Sequence, residues 1–173
     1  MNLDFDIIKK YDKPGPRYTS YPTAPQFNES FKQDDYLDEI LKTNRPDNES
    51  DISLYYHLPY CDTLCYFCGC NMIITRNKDR VQSYVEYLKK ETGLIKRNIA
   101  PSRKVSQLHW GGGTPTHLSP KQIEELARYI RESFSFTENS ENSVEIDPRG
   151  LTKAHLEALR NNGFNRVSMG VQD

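Results

Sequence analysis

The sequence predicts an α/β protein with parallel strands, and two observations carry that prediction. Four short β-prone runs lie after residue 51, and stretches with apolar residues at helical spacing separate them. Strands that alternate with helices in this way are typical of βαβ units, in which helices cover a parallel sheet. The chain has 173 residues, of which 36% are hydrophobic and 27% are charged, so it is long enough to bury one core.

Residues 1–50 are predicted to form a separate, largely irregular segment. Four prolines between residues 14 and 25 interrupt any regular element there: Pro14, Pro16, Pro22 and Pro25. We interpret residues 17–23 as extended chain, and we expect a short helix near residues 33–43. The predicted domain boundary therefore lies at residue 50, with the α/β unit in residues 51–173.

The elements of the α/β unit follow in order. The predicted strands are residues 52–57, 105–110, 143–146 and 166–169. The first helix is marked by apolar residues at helical spacing: Val81, Tyr84, Val85, Leu88 and Ile95. The second helix has Ser119 as N-cap, Pro120 at its first position and Gln122 at the capping-box position. The third is expected to begin at Thr152 and to stop at Gly163.

The chain is expected to be the front portion of a longer protein. Four strands are too few to close a barrel, and the last predicted strand ends close to Asp173. Functional groups of an α/β sheet lie just beyond the carboxyl ends of its strands, so a natural chain rarely stops there.

Composition excludes several classes of function. The net charge is −1 at pH 7, which gives no electrostatic footprint for nucleic acid or for an anionic membrane surface. No run approaches the roughly 18–20 apolar residues of a membrane span, and the N-terminus does not resemble a signal peptide. Clustered cysteines suit metal binding in a reducing compartment, so we expect a cytoplasmic protein.

All four cysteines lie on one predicted loop after the first strand: Cys61, Cys65, Cys68 and Cys70. The first three have the spacing CxxxCxxC, which supplies three thiolates to one centre. A [4Fe–4S] cluster held by three thiolates keeps one iron free for a small molecule, as a catalytic cluster requires. The alternative is a zinc site completed by Cys70 or His57, although zinc sites commonly use a second distant CxxC pair. We assign no ligand role to Cys70.

Two further groups follow the second and third strands. Gly111, Gly112 and Gly113 are expected to present bare backbone N–H and C=O groups to a ligand, and the alternative is a flexible turn. Glu145 and Asp147 lie on one face of the third strand with Ser143. Their carboxylates suit ribose hydroxyls or an ammonium group, and the alternative is a surface salt bridge.

Other polar residues have weaker assignments. Arg149 is either the counter-ion of the two carboxylates or a partner of a substrate carboxylate. Gln172 occupies the corresponding place after the fourth strand. His57 and His109 each end a strand and are expected to make structural hydrogen bonds, whereas His155 is expected to face solvent.

These motifs resemble a known family. CxxxCxxC with Phe67 before the third cysteine is similar to the radical S-adenosylmethionine (SAM) superfamily, and GGGTP at residues 111–115 resembles that superfamily's GGE-type region. More narrowly, five segments are similar to the oxygen-independent coproporphyrinogen III oxidase family: PRYTSYPT (16–23), CYFCGCN (65–71), LHWGGGTPT (108–116), EIDPR (145–149) and GFNRVSMGVQD (163–173). The related haem chaperone usually lacks the first segment and the Cys-Gly-Cys ending, and it is the alternative.

The resemblance implies a fold and a reaction. Residues 51–173 would be the first four βα units of a partial (β/α)6 barrel. A [4Fe–4S] cluster would bind SAM through its unique iron and reduce it to give a 5′-deoxyadenosyl radical. That radical would start the decarboxylation of two propionates, converting coproporphyrinogen III to protoporphyrinogen IX in haem biosynthesis. The propionate carbon has no acidic proton, so general-base chemistry cannot start this reaction.

The resemblance also implies roles for individual residues. The cluster ligands would be Cys61, Cys65 and Cys68. Contacts to a first SAM would come from Tyr55, Phe67, Gly112 and Glu145. Contacts to a second SAM would come from Gly113, Thr114 and Gln172. The implied partners are the porphyrinogen substrate and an electron donor such as flavodoxin or ferredoxin, with the protein a monomer. Members of the family are more than twice as long, so this chain alone is expected to be inactive.

Overall fold

A computed structural model describes residues 5–12, 26–45, 47, 50–66 and 68–170. The chain comprises two compact units, Met1–Tyr36 and Leu37–Asp173. The first unit contains helix α1 (Phe5–Tyr11), and helix α2 (Gln33–Lys42) follows. Helix α2 was predicted, but α1 was not, because the four prolines dominated the interpretation of residues 1–50. No proline or glycine lies within α1, so its backbone meets no obstacle to helix formation.

The second unit is built around parallel strands. Six strands are present in the described residues: β1 (Ile52–Leu58), β2 (Tyr60–Cys61), β3 (Ile73–Ile74), β4 (Val105–Gly112), β5 (Phe136–Ile146) and β6 (Arg166–Met169). The main sheet has the order β1-β4-β5-β6, and β2 and β3 form a separate two-stranded sheet. Every pair of neighbouring strands is parallel, which confirms the predicted α/β class.

Three helices provide the crossovers between the strands of the main sheet. They are α3 (Lys78–Lys96), α4 (Pro120–Ser133) and α5 (Lys153–Asn161). The capping box predicted for the second of these is present, since Ser119 Oγ accepts from Gln122 N and Gln122 Oε1 accepts from Ser119 N. In α5 the cap is Thr152, as predicted. The Ser119 cap satisfies an N–H group that the first turn of a helix cannot satisfy internally.

One face of the sheet is covered by the helices and forms the core. Leu108, Trp110, Val144 and Ile146 are buried there in one cluster with apolar side chains of α3, α4 and α5. Side chains of a strand alternate between faces, so the residues between these point the other way. The opposite face therefore carries polar groups and aromatic rings, which end at the carboxyl edge of the sheet.

Strand β5 is longer than predicted, because it begins at Phe136 rather than Ser143. Its first half is polar, and polar runs do not signal a strand by hydrophobic pattern. Hydrogen bonds hold the buried Asn142, whose Nδ2 donates to Gly163 O at 3.0 Å, although its Oδ1 has no partner among the described residues. Asn165 completes the arrangement, since its Oδ1 accepts from Asn142 N at 2.8 Å and its Nδ2 donates to Ser140 O at 2.9 Å.

The domain boundary at residue 50 remains a prediction.

None of the helices in the described part of the chain combines the length and the apolar character needed to cross a bilayer.

Core packing on α3 gives a matched test of this fold. Leu88 is 7% exposed, whereas Leu94 on the same helix is 59% exposed. Leu88→Ala is expected to lower the free energy of unfolding by about 2–5 kcal/mol, because it leaves a cavity. Leu94→Ala is expected to change it by less than about 0.5 kcal/mol, since alanine is an equally good helix former. Denaturant unfolding of both variants measures the difference, and equal losses would contradict the described packing.

Candidate functional site

The candidate site lies at the carboxyl edge of the main sheet. Three segments meet there: the cysteine loop (residues 61–70) after β2, the glycine loop (residues 111–115) at the end of β4, and residues 145–149 at the tip of β5. A cavity of about 200 Å³ is lined by residues of all three, among them Cys70, Gly112, Thr114 and Glu145. The sequence predicted this convergence, because parallel strands end at the same edge.

The short strands β2 and β3 fix the two ends of the chain that forms the cysteine loop. Ile73 N donates to Pro59 O at 2.7 Å, and Thr75 N donates to Cys61 O at 3.1 Å. This pairing was not predicted, because two-residue strands give no periodic signal. It holds the first cysteine in a fixed place beside the main sheet.

The cysteine loop presents thiols of graded exposure. All four cysteines are free thiols; Cys61 is buried, Cys65 is half-buried, and Cys68 and Cys70 are exposed. Cys61 Sγ lies 3.3 Å from Thr114 Oγ1, within hydrogen-bond reach. Burial raises the pKa of the Cys61 thiol, and the neighbouring Cys68 and Cys65 raise it further. Burial also raises the pKa of Cys70, with a contribution from Cys68.

These thiols fit an iron–sulfur cluster by their chemistry. Besides burial, the nearby Cys68 and Cys65 raise the pKa of Cys61, so these sulfurs are close enough for thiolate charges to repel, and bound metal relieves such repulsion. Thiolates are the ligands that iron–sulfur clusters use. Among the described residues, no three His, Cys, Asp or Glu side chains are already arranged to hold a single metal ion. The four thiol donors are therefore present together on one loop.

The glycine loop is packed more tightly than expected. A Cβ on Gly112 would lie 2.7 Å from the His57 ring, and Gly112 also has a φ of +115°. A Cβ on Gly113 would lie 2.6 Å from Pro59 C and O and 3.0 Å from Cys61 Sγ. Glycine is required here because the loop lies directly against the backbone that precedes the cysteine loop.

The backbone N–H groups of the glycine loop have partners within the protein. Gly112 N donates to Glu145 Oε2 at 3.1 Å, Gly113 N to Leu58 O at 2.9 Å, and Thr114 N to Tyr60 O at 2.9 Å. The expectation that these N–H groups are bare was therefore wrong. A run of glycines indicates that some group lies close to the backbone. In this loop, that group is another part of the protein.

Glu145 is oriented by a chain of contacts across the open face of the sheet. His109 Nε2 lies 3.5 Å from Glu145 Oε1, and His109 Nδ1 lies 2.6 Å from Ser143 Oγ. The Tyr55 ring stacks on His109 with a centroid distance of 5.8 Å. Ser143 and Glu145 share one face of β5, as predicted, whereas Asp147 lies beyond the end of that strand. With one oxygen held by Gly112 N, the partly exposed carboxylate of Glu145 is fixed at the cavity and suits a cationic ligand group.

Asp147 is paired with Arg149. Arg149 Nη2 lies 2.6 Å from Asp147 Oδ2, and Arg149 Nε lies 3.0 Å from Asp147 Oδ1. These hydrogen bonds lower the pKa of Asp147. Arg149 is thus the counter-ion of Asp147, and its contact with a substrate carboxylate stays a prediction; the guanidinium also donates to Cys65 Sγ at 3.2 Å. That contact joins the tip of β5 to the cysteine loop and was not predicted.

The predictions for the remaining residues have different outcomes: some are confirmed, one is corrected and others are untested. His57 Nε2 donates to Asn71 O at 2.8 Å, so His57 and His109 make the structural hydrogen bonds expected of them. His155 was expected to face solvent, but it is half-buried, bonds to Thr152 Oγ1 and lines a second cavity of about 410 Å³ with Cys61 and Arg149. Phe67 and Gln172 lie outside the described residues.

A substitution in the glycine loop tests the close approach. Gly113→Ala is expected to lower the free energy of unfolding by about 1–3 kcal/mol, because the new Cβ would meet the Pro59 backbone, which cannot rotate away. Gly150→Ala is the matched control, since a Cβ there meets no atom within 4 Å. Denaturant unfolding measures both, and a Gly113→Ala variant as stable as the control would contradict the described contact.

Comparisons with known proteins agree with this geometry. A family model described as the radical SAM superfamily matches residues 55–173. An oxygen-independent coproporphyrinogen III oxidase from Helicobacter pylori (strain ATCC 700392 / 26695) is 46% identical over 174 residues, which cover 100% of this chain and 38% of that protein. A protein of the same name from Mannheimia haemolytica is 42% identical over 145 residues, which cover 84% of this chain and 96% of that protein.

A solved structure gives the same result for the fold. The coproporphyrinogen III oxidase from Escherichia coli, described as a radical SAM enzyme, superposes with a TM-score of 0.84 and 45% sequence identity. The match covers 99% of this chain and 37% of that chain, so this chain spans little more than a third of the longer relatives. The resemblance found in the cysteine, glycine and EIDPR motifs is confirmed, and the chain belongs to the radical SAM superfamily, within the family of oxygen-independent coproporphyrinogen III oxidases.

Proposed function

We propose that this chain supplies the cluster-binding and SAM-binding part of an oxygen-independent coproporphyrinogen III oxidase. One observation carries the proposal: the CxxxCxxC loop, the glycine loop and Glu145 converge at one edge of a parallel sheet. Relatives that are 42–47% identical bear the name of this oxidase.

The proposed cluster ligands are Cys61, Cys65 and Cys68. When bound, the [4Fe–4S] cluster and SAM supply one-electron chemistry that can attack an unactivated C–H bond. The residues of the chain position the groups that would hold the cluster and SAM. Cys61 is buried, lies in the β2–β3 pair and contacts Thr114, so it is the most firmly held of the three ligands, whereas Cys65 and Cys68 are more exposed.

Glu145 is the proposed partner of the SAM ammonium group. Its Oε2 accepts from Gly112 N, and its Oε1 faces His109. A carboxylate anchored by a backbone N–H keeps its direction, and its charge favours an ammonium group over a neutral one. Tyr55 is 59% exposed beside it and offers an aromatic ring to the same ligand.

A second SAM molecule, in contact with Gly113, Thr114 and Gln172, remains part of the proposal. Gly113 N and Thr114 N already donate to Leu58 O and Tyr60 O. Contacts from these two residues therefore come from carbonyl oxygens or from the Thr114 hydroxyl, not from their N–H groups. The proposed contact between Phe67 and the first SAM molecule belongs to the same hypothesis.

The proposed reaction is the oxygen-independent conversion of coproporphyrinogen III to protoporphyrinogen IX. Two propionates each lose CO₂, a hydrogen atom and one further electron, which an electron acceptor must take up, and become vinyl groups. The proposed partners are this porphyrinogen and a small electron-transfer protein such as flavodoxin or ferredoxin. We place the protein in the cytoplasm as a monomer, and we expect the 173-residue chain to need the remainder of the enzyme for turnover.

A hybrid enzyme tests the function. Residues 1–173 replace the matching 37% of the Escherichia coli enzyme, and the hybrid is reconstituted with iron and sulfide without oxygen. Electron paramagnetic resonance (EPR) of the reduced hybrid is expected to give a [4Fe–4S]⁺ signal that changes when SAM is added. The hybrid is then expected to form protoporphyrinogen IX, measured by porphyrin fluorescence after oxidation. A SAM-responsive hybrid that binds haem and forms no product would contradict the oxidase and support the haem chaperone.

Cysteine variants of the chain itself test the ligand set. Replacement of Cys61, Cys65 or Cys68 by alanine is expected to remove most of the bound iron, because each takes away one of three ligands. Cys70→Ala is the matched control on the same loop and is expected to retain the wild-type iron content. Metal analysis measures all four variants. A colourless protein with one zinc, whose affinity falls in Cys70→Ala, would support a zinc module instead.

A further inference from the structure

We propose that Arg149 is a positioning residue that holds Cys65 and raises the reduction potential of the cluster through a hydrogen bond to the Cys65 sulfur. The proposal rests on the proposed function, since it requires a cluster on Cys61, Cys65 and Cys68. The resemblance to the family assigns no role to Arg149.

The guanidinium is held by Asp147 from one side. Asp147 accepts from Arg149 N at 2.9 Å, from Arg149 Nε at 3.0 Å and from Arg149 Nη2 at 2.6 Å. Asp147 itself is 17% exposed at the end of β5, so the carboxylate is a firm anchor. Multiple hydrogen bonds between an arginine and one carboxylate fix the plane of the guanidinium.

The fixed guanidinium points at the cysteine loop. Its Nη2 lies 3.2 Å from Cys65 Sγ, across 84 residues of sequence. Within its own loop, Cys65 O accepts from Cys68 N at 3.1 Å. The Asp147–Arg149 pair therefore connects the middle cysteine to the sheet, as Thr114 connects Cys61.

A hydrogen bond and a positive charge at a ligand sulfur affect the redox equilibrium. The reduced cluster carries one more negative charge than the oxidised cluster, so a nearby cation stabilises it more. Hydrogen bonds to ligand sulfurs are among the factors that set the potentials of iron–sulfur clusters. The Arg149 side chain is 51% exposed, and water screens part of its charge. We therefore expect a moderate effect.

Potentiometric titration monitored by EPR tests the proposal without enzyme turnover. Arg149→Met is expected to lower the equilibrium constant for one-electron reduction about tenfold, which corresponds to about 59 mV toward more negative potential. Arg149→Lys keeps the charge and loses the fixed planar geometry, so its potential is expected to lie between those of Arg149→Met and the wild type. Arg160→Met removes an exposed arginine on α5 and is the matched control, with the wild-type potential.

The outcomes separate this proposal from the proposed function. Iron content and the SAM-dependent EPR change of the wild type test the function first, and their absence would overturn both. A wild-type cluster that responds to SAM, with the same potential in Arg149→Met, would overturn the role of Arg149 alone. If Arg149→Met does not take up iron, Arg149→Lys decides: a lowered potential supports the proposal, and an unchanged one overturns it.

Discussion

The hydrogen bonds from the glycine loop to the chain between β1 and β2 determine where the other groups of the site lie. Gly113 N and Thr114 N donate to Leu58 O and Tyr60 O, and they bring the end of β4 against the residues that lead into the cysteine loop. A side chain at Gly113 would occupy the place of the Pro59 backbone. Cys61 is therefore next to Thr114, and Gly112 is next to Glu145, as consequences of one close approach between two backbones.

The two faces of the main sheet have different roles. The helix-covered face is filled by apolar side chains and fixes the positions of the strands. The opposite face carries Tyr55, His109 and Glu145, which contact one another at the edge where the loops converge. The core and the candidate site thus use opposite faces of the same strands, so a group on the open face can change without a cavity forming in the core.

Much of the fold was predictable because its signals are local. Apolar spacing predicted α3, and Ser119 with Gln122 predicted the start of α4, since capping depends on residues three apart. The first half of β5 was not predictable, because Asn142 is stabilised there by Asn165 and Gly163, which are distant in sequence. The β2–β3 pair was too short to give a period. In both segments, hydrogen bonds between residues distant in sequence determine the strand.

The candidate site divides in the same way. The three segments that converge at the sheet edge were predicted, because the end of each parallel strand is a local feature and their common edge follows from topology. The partners of individual groups were not predicted. The sequence could not distinguish a glycine loop that binds a ligand by its N–H groups from one whose N–H groups bond to Leu58 and Tyr60. The sequence also left two roles open for Arg149, because Arg149 and Cys65 come into contact only in the folded chain.

The β2–β3 pair has a consequence for metal capture. It joins Tyr60 to Ile73 and Cys61 to Ile74, so the chain that carries the cysteines is already a closed ring before any iron arrives. Closing a flexible ring of about twelve residues costs on the order of 2 kcal/mol of chain entropy, apart from a constant. Folding of the sheet already includes this entropy cost, so metal binding does not add it again. The thiols therefore have a high effective concentration relative to one another. Assembly of the cluster then resembles chelation by a preformed macrocycle more than the folding of an open chain around a metal.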